Sequence, residues 1–277
     1  MTAREARALS VLRFVTLRRS TTDLKRAVAF YCGGLGFEVA GNGGASGEVV
    51  LALGAERIVL VECSSGMATV PGPDVRFQHA AIVASDMRAA FERLQRQAPV
   101  AISRGGPQRL PAAAGGVRAF KFRDPDGHPL ELIEFPPGQG AERWQAAARE
   151  GLTLGIDHAA ISVSNVDRSI AFYERIGFRL ESRQTNRGDE QARLDGLASA
   201  KVEVEVEVEV EVEVVALVPL DAGGPHLELL GYVTPKPERS DGEAPAATDC
   251  VVWQAQAIDG RHQVVTDPDG HRNSMIE

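Results

Sequence analysis

The chain has 277 residues and a net charge of −8, from 30 basic and 38 acidic side chains. Hydrophobic residues make up 44% and charged residues 25%, which excludes a disordered or collagen-like chain. The acidic balance disfavours nucleic acid, whose phosphates attract a basic surface. The sequence lacks a run of roughly 18 apolar residues for a membrane span and the apolar segment of a secretory signal. We therefore expect a cytoplasmic protein that binds neither nucleic acid nor a membrane.

The first half of the chain contains two predicted units, each a strand followed by a helix and further short strands. The first unit begins near residue 12, and its helix carries RAVAFYCGGLGFEV at 26–39. The second begins near residue 77 with QHAAIVASDMRAAFERL, in which alternating apolar residues indicate a strand and Ser85 or Asp86 can cap the helix. Its last strand follows DPDGH at 124–128, a composition typical of a tight turn.

The second half repeats this pattern. RSIAFYERIGFRL at 168–180 matches the first helix, and Tyr173 follows Tyr31 by 142 residues. DPDGH recurs at 267–271, displaced by 143 residues. The third unit starts near residue 156 with DHAAISVSN, where Ser164 or Asn165 is the predicted helix cap. The equal spacings indicate a tandem duplication.

Two segments depart from the repeat. Residues 202–214, VEVEVEVEVEVEV, predict a strand with one valine face and one carboxylate face, its carboxylates solvated rather than cation-binding. The fourth unit, near residue 250, is too short for a helix and four strands. It leaves a sheet edge that a second subunit can cover, which allows a homodimer.

We predict an α+β fold of four tandem βαβββ modules, the last truncated, that form cupped mixed sheets with helices outside. Modules one and two occupy residues 1–140, a linker covers 141–155, and modules three and four occupy 156–277. Three cysteines, Cys32, Cys63 and Cys250, form no CxxC pair, so neither a disulfide framework nor a thiolate zinc site is expected.

GIDHAAISVSNVDRSIAFYERIGF and FKFRDPDGHPLELIEF resemble the vicinal oxygen chelate superfamily, which includes glyoxalase I, extradiol dioxygenases and bleomycin-resistance proteins. In that family two modules pair around a divalent metal, and each supplies one ligand from its first strand and one from its last. The resemblance maps the first-strand positions onto Phe14 or Thr16, His79, His158, and Val252 or Gln254. It maps the last-strand positions onto Val59, Glu131, Glu228 and Ser274.

Only modules two and three offer a complete histidine and glutamate pair. Pairing in sequence order would leave two good ligands in each half. Pairing of the two central modules would bring together His79, Glu131, His158 and Glu228, and we favour it. Imidazole and carboxylate ligands suit Ni, Zn, Fe, Mn or Co. The alternative is that both histidines are strand residues satisfied by hydrogen bonds.

The resemblance implies a metal that chelates vicinal oxygens of a small substrate for isomerase or lyase chemistry, with Glu131 and Glu228 as catalytic residues. An extradiol-type dioxygenase and a metal-free drug-binding or resistance protein are the alternatives. His226 shares a strand face with Glu228, and Arg109 precedes the DPDGH turn, so both are weaker candidates for contact with the substrate.

Overall fold

Two cupped sheets form the protein in a computed structural model. The structure describes residues 10–42, 44, 47–64, 69–147, 151–197, 200–201, 207–221, 223–239, 249–256 and 262–277. All four predicted modules are present in the predicted order. Within the described ranges, no helix is long and apolar enough to cross a membrane.

The elements of the first two modules follow the predicted βαβββ order. Module one comprises β1 (Ser10–Thr21), α1 (Leu24–Leu35), β2 (Glu38–Asn42), β3 (Glu48–Leu53) and β4 (Glu56–Glu62). Module two comprises β5 (Gln78–Ala84), α2 (Met87–Gln95), β6 (Val100–Ala101), β7 (Gln108–Arg109), a 3-10 turn (Ala112–Ala114), β8 (Arg118–Arg123) and β9 (Pro129–Glu134). The linker contains α3 (Glu142–Ala147).

The second half is less regular. Module three comprises β10 (Thr153–Ser162), α4 (Val166–Arg175), β11 (Arg179–Arg187), α5 (Asp189–Leu194), β12 (Ala200–Lys201), β13 (Glu207–Val208), β14 (Glu211–Val218) and β15 (His226–Thr234). The described part of module four comprises three strands, β16 (Cys250–Gln256), β17 (Gln263–Thr266) and β18 (Arg272–Ile276), and no helix.

Each of the two large sheets combines one module from each half of the chain, while β12 and β13 of module three form a separate two-stranded sheet. The central sheet has the order β11-β14-β15-β10-β5-β9-β8-β6, with β7 added to β8, and joins modules two and three through antiparallel β5 and β10. The outer sheet has the order β17-β18-β16-β1-β4-β3-β2 and joins modules one and four through antiparallel β1 and β16. The structure therefore pairs the central modules, as the ligand pattern predicts. The division at 1–140, 141–155 and 156–277 stays a prediction.

Side-chain caps fix where the three long helices begin. Asp23, Asp86 and Asn165 each accept a hydrogen bond from the backbone N–H three residues later. The second and third of these caps lie at positions that the sequence predicts. Helix α1 ends at Gly36, whose φ of 78° is a left-handed conformation that glycine adopts without strain.

Helices α1, α2 and α4 pack on the sheet faces that lie opposite the two cavities, whereas residues of α3 and α5 line the central cavity. One buried cluster combines residues of both sheets with the apolar sides of α1, α2 and α4. Phe30 of α1 contacts Phe122 of the central sheet, with ring centroids 6.4 Å apart. The main core is therefore shared between the sheets, and the opposite faces remain open for ligands.

The two DPDGH segments form tight turns that also join modules. Asp124 accepts hydrogen bonds from the backbone N–H groups of Asp126 and His128, and Asp267 does the same for Asp269 and His271. The hydroxyl of Tyr31 donates to Asp124, and that of Tyr173 donates to Asp267. The repeated tyrosine thus links a helix to the turn of the following module.

Only part of the valine-glutamate tract is described, because residues 202–206 lie outside the described ranges. In the remainder, Val210 and Val212 are buried, while Glu211 and Glu213 form ion pairs with Arg187 and Arg183 of the neighbouring strand. The predicted alternation of faces holds there. The carboxylates are matched by arginines across the strand pair, which relieves their mutual repulsion.

Candidate metal centre

Two rows of side chains cross the concave face of the central sheet. The first row runs in register through His226, His158, Ala81, Glu131 and Lys121, on five adjacent strands. The second row runs through Glu228, Ala160 and His79. Directly paired residues point to the same side of a sheet. The rows therefore place the predicted ligands on one face, and the small side chains of two alanines leave space between them.

Four predicted residues converge at this point. Nε2 of His79 lies 2.9 Å from Oε2 of Glu131. Nε2 of His158 lies 3.9 Å from the same oxygen and 3.4 Å from Oε2 of Glu228. Potential ligand atoms of His79, Glu131 and His158 all lie within 4.8 Å of one another. The structure thus brings together a compact group of two histidines and one carboxylate, with Glu228 beside it.

The orientation of His158 is set by its own neighbour in sequence. Oδ2 of Asp157 lies 3.1 Å from Nδ1 of His158, and Oδ1 of Asp157 accepts a hydrogen bond of 2.7 Å from the indole of Trp144. Adjacent strand residues normally face opposite sides. Here the ladder to β5 is irregular between Ile156 and His158, which allows the contact. Nε2 of His158 is consequently directed towards the two glutamates.

Buried charges shift the pKa values of this group strongly. Burial opposes ionisation of Glu131, but the charge of Lys121 and the hydrogen bond with His79 bring its pKa down to about 2. Burial also opposes protonation of His158, yet Glu228 and Asp157 raise its pKa to about 9. Burial lowers the pKa of His79. The carboxylates are therefore ionised at neutral pH, and His79 is the neutral imidazole.

Lys121 introduces a positive charge at this site that was not predicted from the sequence. Its side chain is 5% exposed, and its ammonium donates a hydrogen bond of 2.6 Å to Asp195. Burial lowers the pKa of Lys121, but the charges of Asp195 and Glu131 outweigh this and raise it. Lys121 is thus a buried cation beside the glutamates.

The group lies in a cavity of about 610 Å³. His226 also lines it, with Nε2 3.4 Å from Oε1 of Glu228, as their shared strand face predicts. Arg109 does not line this cavity and faces a separate surface depression with Arg118. The structure therefore places His226, but not Arg109, where a substrate beside the four residues would lie.

Sequence reasoning missed Asp157, Trp144, Lys121 and Asp195. The Asp-His dipeptide at the start of module three was visible, but strand alternation argued against a contact between the two residues. Trp144 lies in the linker, and Asp195 follows α5, for which the repeat offers no equivalent. Lys121 lies in β8, the strand before DPDGH, and nothing that recurs in the other modules marks it as a site residue.

The residues present fit a divalent ion. Nδ1 of His79 and Nε2 of His158 are buried and lack a hydrogen-bond partner among the described residues. Two imidazoles and two ionised carboxylates form a donor set that suits borderline and hard divalent metals. The contact of Asp157 with Nδ1 of His158 is the arrangement by which a carboxylate orients a metal-binding histidine.

Comparison with known proteins supports the fold. A family model described as the Glyoxalase/Bleomycin resistance protein/Dioxygenase superfamily matches residues 13–132 and 155–252. No curated protein matches the sequence. Glyoxalase I from Zea mays has a TM-score of 0.65 at 16% identity, covering 96% of this chain and 92% of that one. A mutant of glyoxalase I from Zea mays gives the same TM-score and coverage at 18% identity.

A putative dioxygenase from Bacillus subtilis has a TM-score of 0.55 at 14% identity, covering 96% of this chain and 85% of that one. At these identities the likeness shows a shared fold and leaves the reaction open. The family model, in contrast, matches most of both halves of the chain. The chain therefore belongs to the Glyoxalase/Bleomycin resistance protein/Dioxygenase superfamily.

Proposed function

We propose that this protein is a metal-dependent enzyme that carries out isomerase or lyase chemistry on a small molecule with vicinal oxygens. The observation that carries the proposal is the convergence of His79, Glu131 and His158 within 4.8 Å in the central cavity, with Glu228 beside them. His79, Glu131, His158 and Glu228 would hold the ion, and Lys121 would balance part of the negative charge.

The ion, when bound, supplies a Lewis acid that polarises the substrate oxygens and acidifies a neighbouring C–H bond. The proton then needs a basic side chain within reach. Glu131 is a poor base, because its pKa is about 2 and because His79 and Lys121 hold its charge. Burial raises the pKa of Glu228, but the charge of His158 and the contact with His226 lower it overall. Glu228 is still the better base of the two, since its side chain is 20% exposed and its contact to His226 is long. We assign the proton transfer to Glu228, and to Glu131 the role of an ionised carboxylate that holds the metal.

An extradiol-type dioxygenase is the second candidate. Iron oxygenases of this kind use two histidines and one carboxylate and keep other positions open. The three-residue group of His79, Glu131 and His158 has that composition. The two functions differ in the role of Glu228. In an isomerase Glu228 transfers the proton, whereas a dioxygenase needs only His79, Glu131 and His158 as metal ligands.

Metal analysis of protein purified without added metal tests the proposal. We expect about one divalent ion per chain in the wild type and its loss in both His79→Ala and His158→Ala, because each substitution removes one imidazole ligand. His262→Ala is the matched control, since His262 lies at the other cavity. A metal-free wild type, or loss in only one variant, would contradict the proposal and favour a metal-free binding protein.

Replacement of the two glutamates by glutamine should separate their tasks. We expect Glu228→Gln to keep most of the metal but to lose exchange of a substrate C–H proton with solvent deuterium by about 100-fold or more, which is the usual effect of a lost general base. Glu131→Gln should lose metal. The exchange is measured by NMR on a panel of α-hydroxy carbonyl compounds. Unchanged exchange in Glu228→Gln, together with oxygen consumption in the presence of a catechol, would support the dioxygenase instead.

The contact between Asp157 and His158 gives a prediction on metal affinity. We expect Asp157→Asn to weaken metal binding by about 10-fold or more, because the carboxylate that orients Nδ1 of His158 is lost. Trp144→Phe, which removes only the indole donor to Asp157, should have a smaller effect in the same direction. Competition with a chromogenic chelator measures both. Equal affinity in the wild type and Asp157→Asn would show that Asp157 has no part in metal binding.

A further inference from the structure

The outer sheet has a cavity of its own, with a volume of about 500 Å³. Its lining combines aliphatic side chains with six that carry a polar group or a thiol, namely Thr16, Arg18, Cys250, His262, Arg272 and Ser274. None of these described lining residues is an aspartate or a glutamate, although the whole chain is acidic. The charge of this lining is thus opposite to that of the central cavity, which contains Glu131, Asp157 and Glu228.

The strand register brings the polar side chains of this lining together. Arg18 of β1 pairs with Cys250 of β16, and Thr16 pairs with Val252, which in turn pairs with Ser274 of β18. Arg272 precedes Ser274 by two residues and therefore lies on the same face. The two arginines flank Cys250 on either side of β16, roughly 10 Å apart at the backbone.

The charges of the two arginines both reach the centre of this face. Burial raises the pKa of the Cys250 thiol, and the charges of Arg19, Arg18 and Arg272 act in the opposite direction. Arg18 donates a hydrogen bond to Glu48, which is not a lining residue. Nε of Arg272 is buried and has no hydrogen-bond partner in the part of the chain that the structure describes. The Nε–H group of Arg272, a lining residue of the cavity, is therefore a buried donor without an acceptor among these residues.

Hydroxyl and imidazole groups complete the donor set. Ser274 contacts Nε2 of His262 across the end of the cavity. By strand register Thr16 and Ser274 occupy the positions of His158 and Glu131. In the same register Cys250 occupies the position of His79, and Val59 that of Glu228. Valine is no metal ligand, hydroxyls are weak ones, and burial raises the pKa of the Cys250 thiol, so this lining does not suit a divalent cation. It instead presents N–H and O–H donors around a positive centre.

We propose that the outer cavity binds a small oxyanion, a carboxylate or a phosphate, through Arg18 and Arg272. Guanidinium groups bind both kinds of anion through paired N–H donors, with hydrogen bonds stronger than those between neutral groups. His262, Ser274 and Thr16 offer further hydrogen-bonding groups to the anion, and Val252 lies between Thr16 and Ser274. The site is separate from the candidate metal centre, which lies in the other sheet, and does not depend on it.

Isothermal titration of the full-length protein with inorganic phosphate and with succinate tests this proposal, and glycerol serves as the neutral control. We expect at least one of the two anions to bind and glycerol not to bind. Arg272→Gln and Arg18→Gln should each weaken the binding by about 10-fold or more, because each removes a charged hydrogen bond. The anion that binds more tightly identifies the source of the oxyanion.

Arg13→Gln is the matched control, because Arg13 lies on the same strand, is exposed and does not line the cavity. It should bind the anion like the wild type. Binding should also persist in His79→Ala and His158→Ala, which separates this site from the central one. Absence of binding by both anions at millimolar concentration, equal binding in both arginine variants, or loss of binding in His79→Ala would overturn the proposal.

Discussion

We expect Lys121→Met to destabilise the protein by about 3–5 kcal/mol, the usual cost of removing one partner from a buried ion pair. Lys121 and Asp195 are 5% and 1% exposed, and their charged atoms are 2.6 Å apart. Methionine has a similar length and leaves no large cavity, so the loss is mainly electrostatic. It leaves Asp195 with a hydrogen bond from Gln191 but without its counter-charge.

The same substitution lowers the stability of the metal-free protein but should tighten the binding of a divalent ion. Lys121 lowers the pKa of Glu131 because its positive charge stabilises that carboxylate. The same charge repels a cation held by Glu131 and Glu228. Removal of the lysine therefore makes the metal-free protein less stable and the metal complex relatively more favourable, so that added metal should recover part of the lost stability.

Urea unfolding with and without a divalent ion, combined with a chelator competition, measures both effects. The double variant Lys121→Met/Asp195→Asn is the control, because it removes both charges and should recover much of the stability. Weaker metal binding by Lys121→Met would contradict the electrostatic account and indicate that Lys121 instead holds Glu131 in position.

The modular fold was predictable because two independent signals repeat. The AFY helix motif and the DPDGH turn recur at almost the same spacing, and the structure joins them through the Tyr31 to Asp124 and Tyr173 to Asp267 hydrogen bonds. Module pairing followed from chemistry, since only modules two and three carry histidine and glutamate at equivalent strand positions. The fact that α1 contacts the central sheet was not predictable, because sequence periodicity identifies an apolar helix face but not what covers it.

For the candidate site, the sequence predicted the residues that occupy equivalent positions in two modules. It did not predict the site residues that have no equivalent in another module. His79, Glu131, His158 and Glu228 occupy equivalent positions in two modules, and the structure brings them together. Asp157 reaches His158 only through an irregularity of the strand pairing. Lys121 and Asp195 form an ion pair between β8 and the residue after α5. No equivalent of this pair recurs in the other modules, so the repeat did not predict it. Long-range contacts of this kind depend on the packing of the two modules.

The stability of the protein should fall as the pH rises through about 9, through His128 in the first DPDGH turn. Nδ1 of His128 lies 2.9 Å from Oδ2 of Asp124, and Nε2 lies 3.4 Å from Oδ2 of Asp249 in module four. Burial alone would lower the pKa of His128, but Asp124 and then Asp249 raise it from 6.5 to about 9. The histidine is therefore a buried cation that joins modules two and four at neutral pH.

The fall of the unfolding free energy with rising pH follows from the protonation of His128 in the folded and unfolded chains. Below pH 6.5 the histidine is protonated in both states, and its ion pairs contribute fully to stability. Between pH 6.5 and about 9 only the folded state keeps the proton, so the contribution declines, and above this range it is lost. The shift of about 2.5 pH units corresponds to about 3 kcal/mol of unfolding free energy.

Urea unfolding of the wild type and of His128→Gln across this pH range measures the effect. Other titrating groups, His158 included, contribute to both proteins and cancel in the difference between their unfolding free energies. We expect the advantage of the wild type to shrink by about 3 kcal/mol between pH 6 and pH 10. Asp249→Asn keeps the histidine and Asp124 but removes one carboxylate, so it should show a smaller pH dependence than the wild type. An advantage of the wild type that stays constant with pH would mean that His128 is neutral in the folded protein and that the turn is held by hydrogen bonds alone.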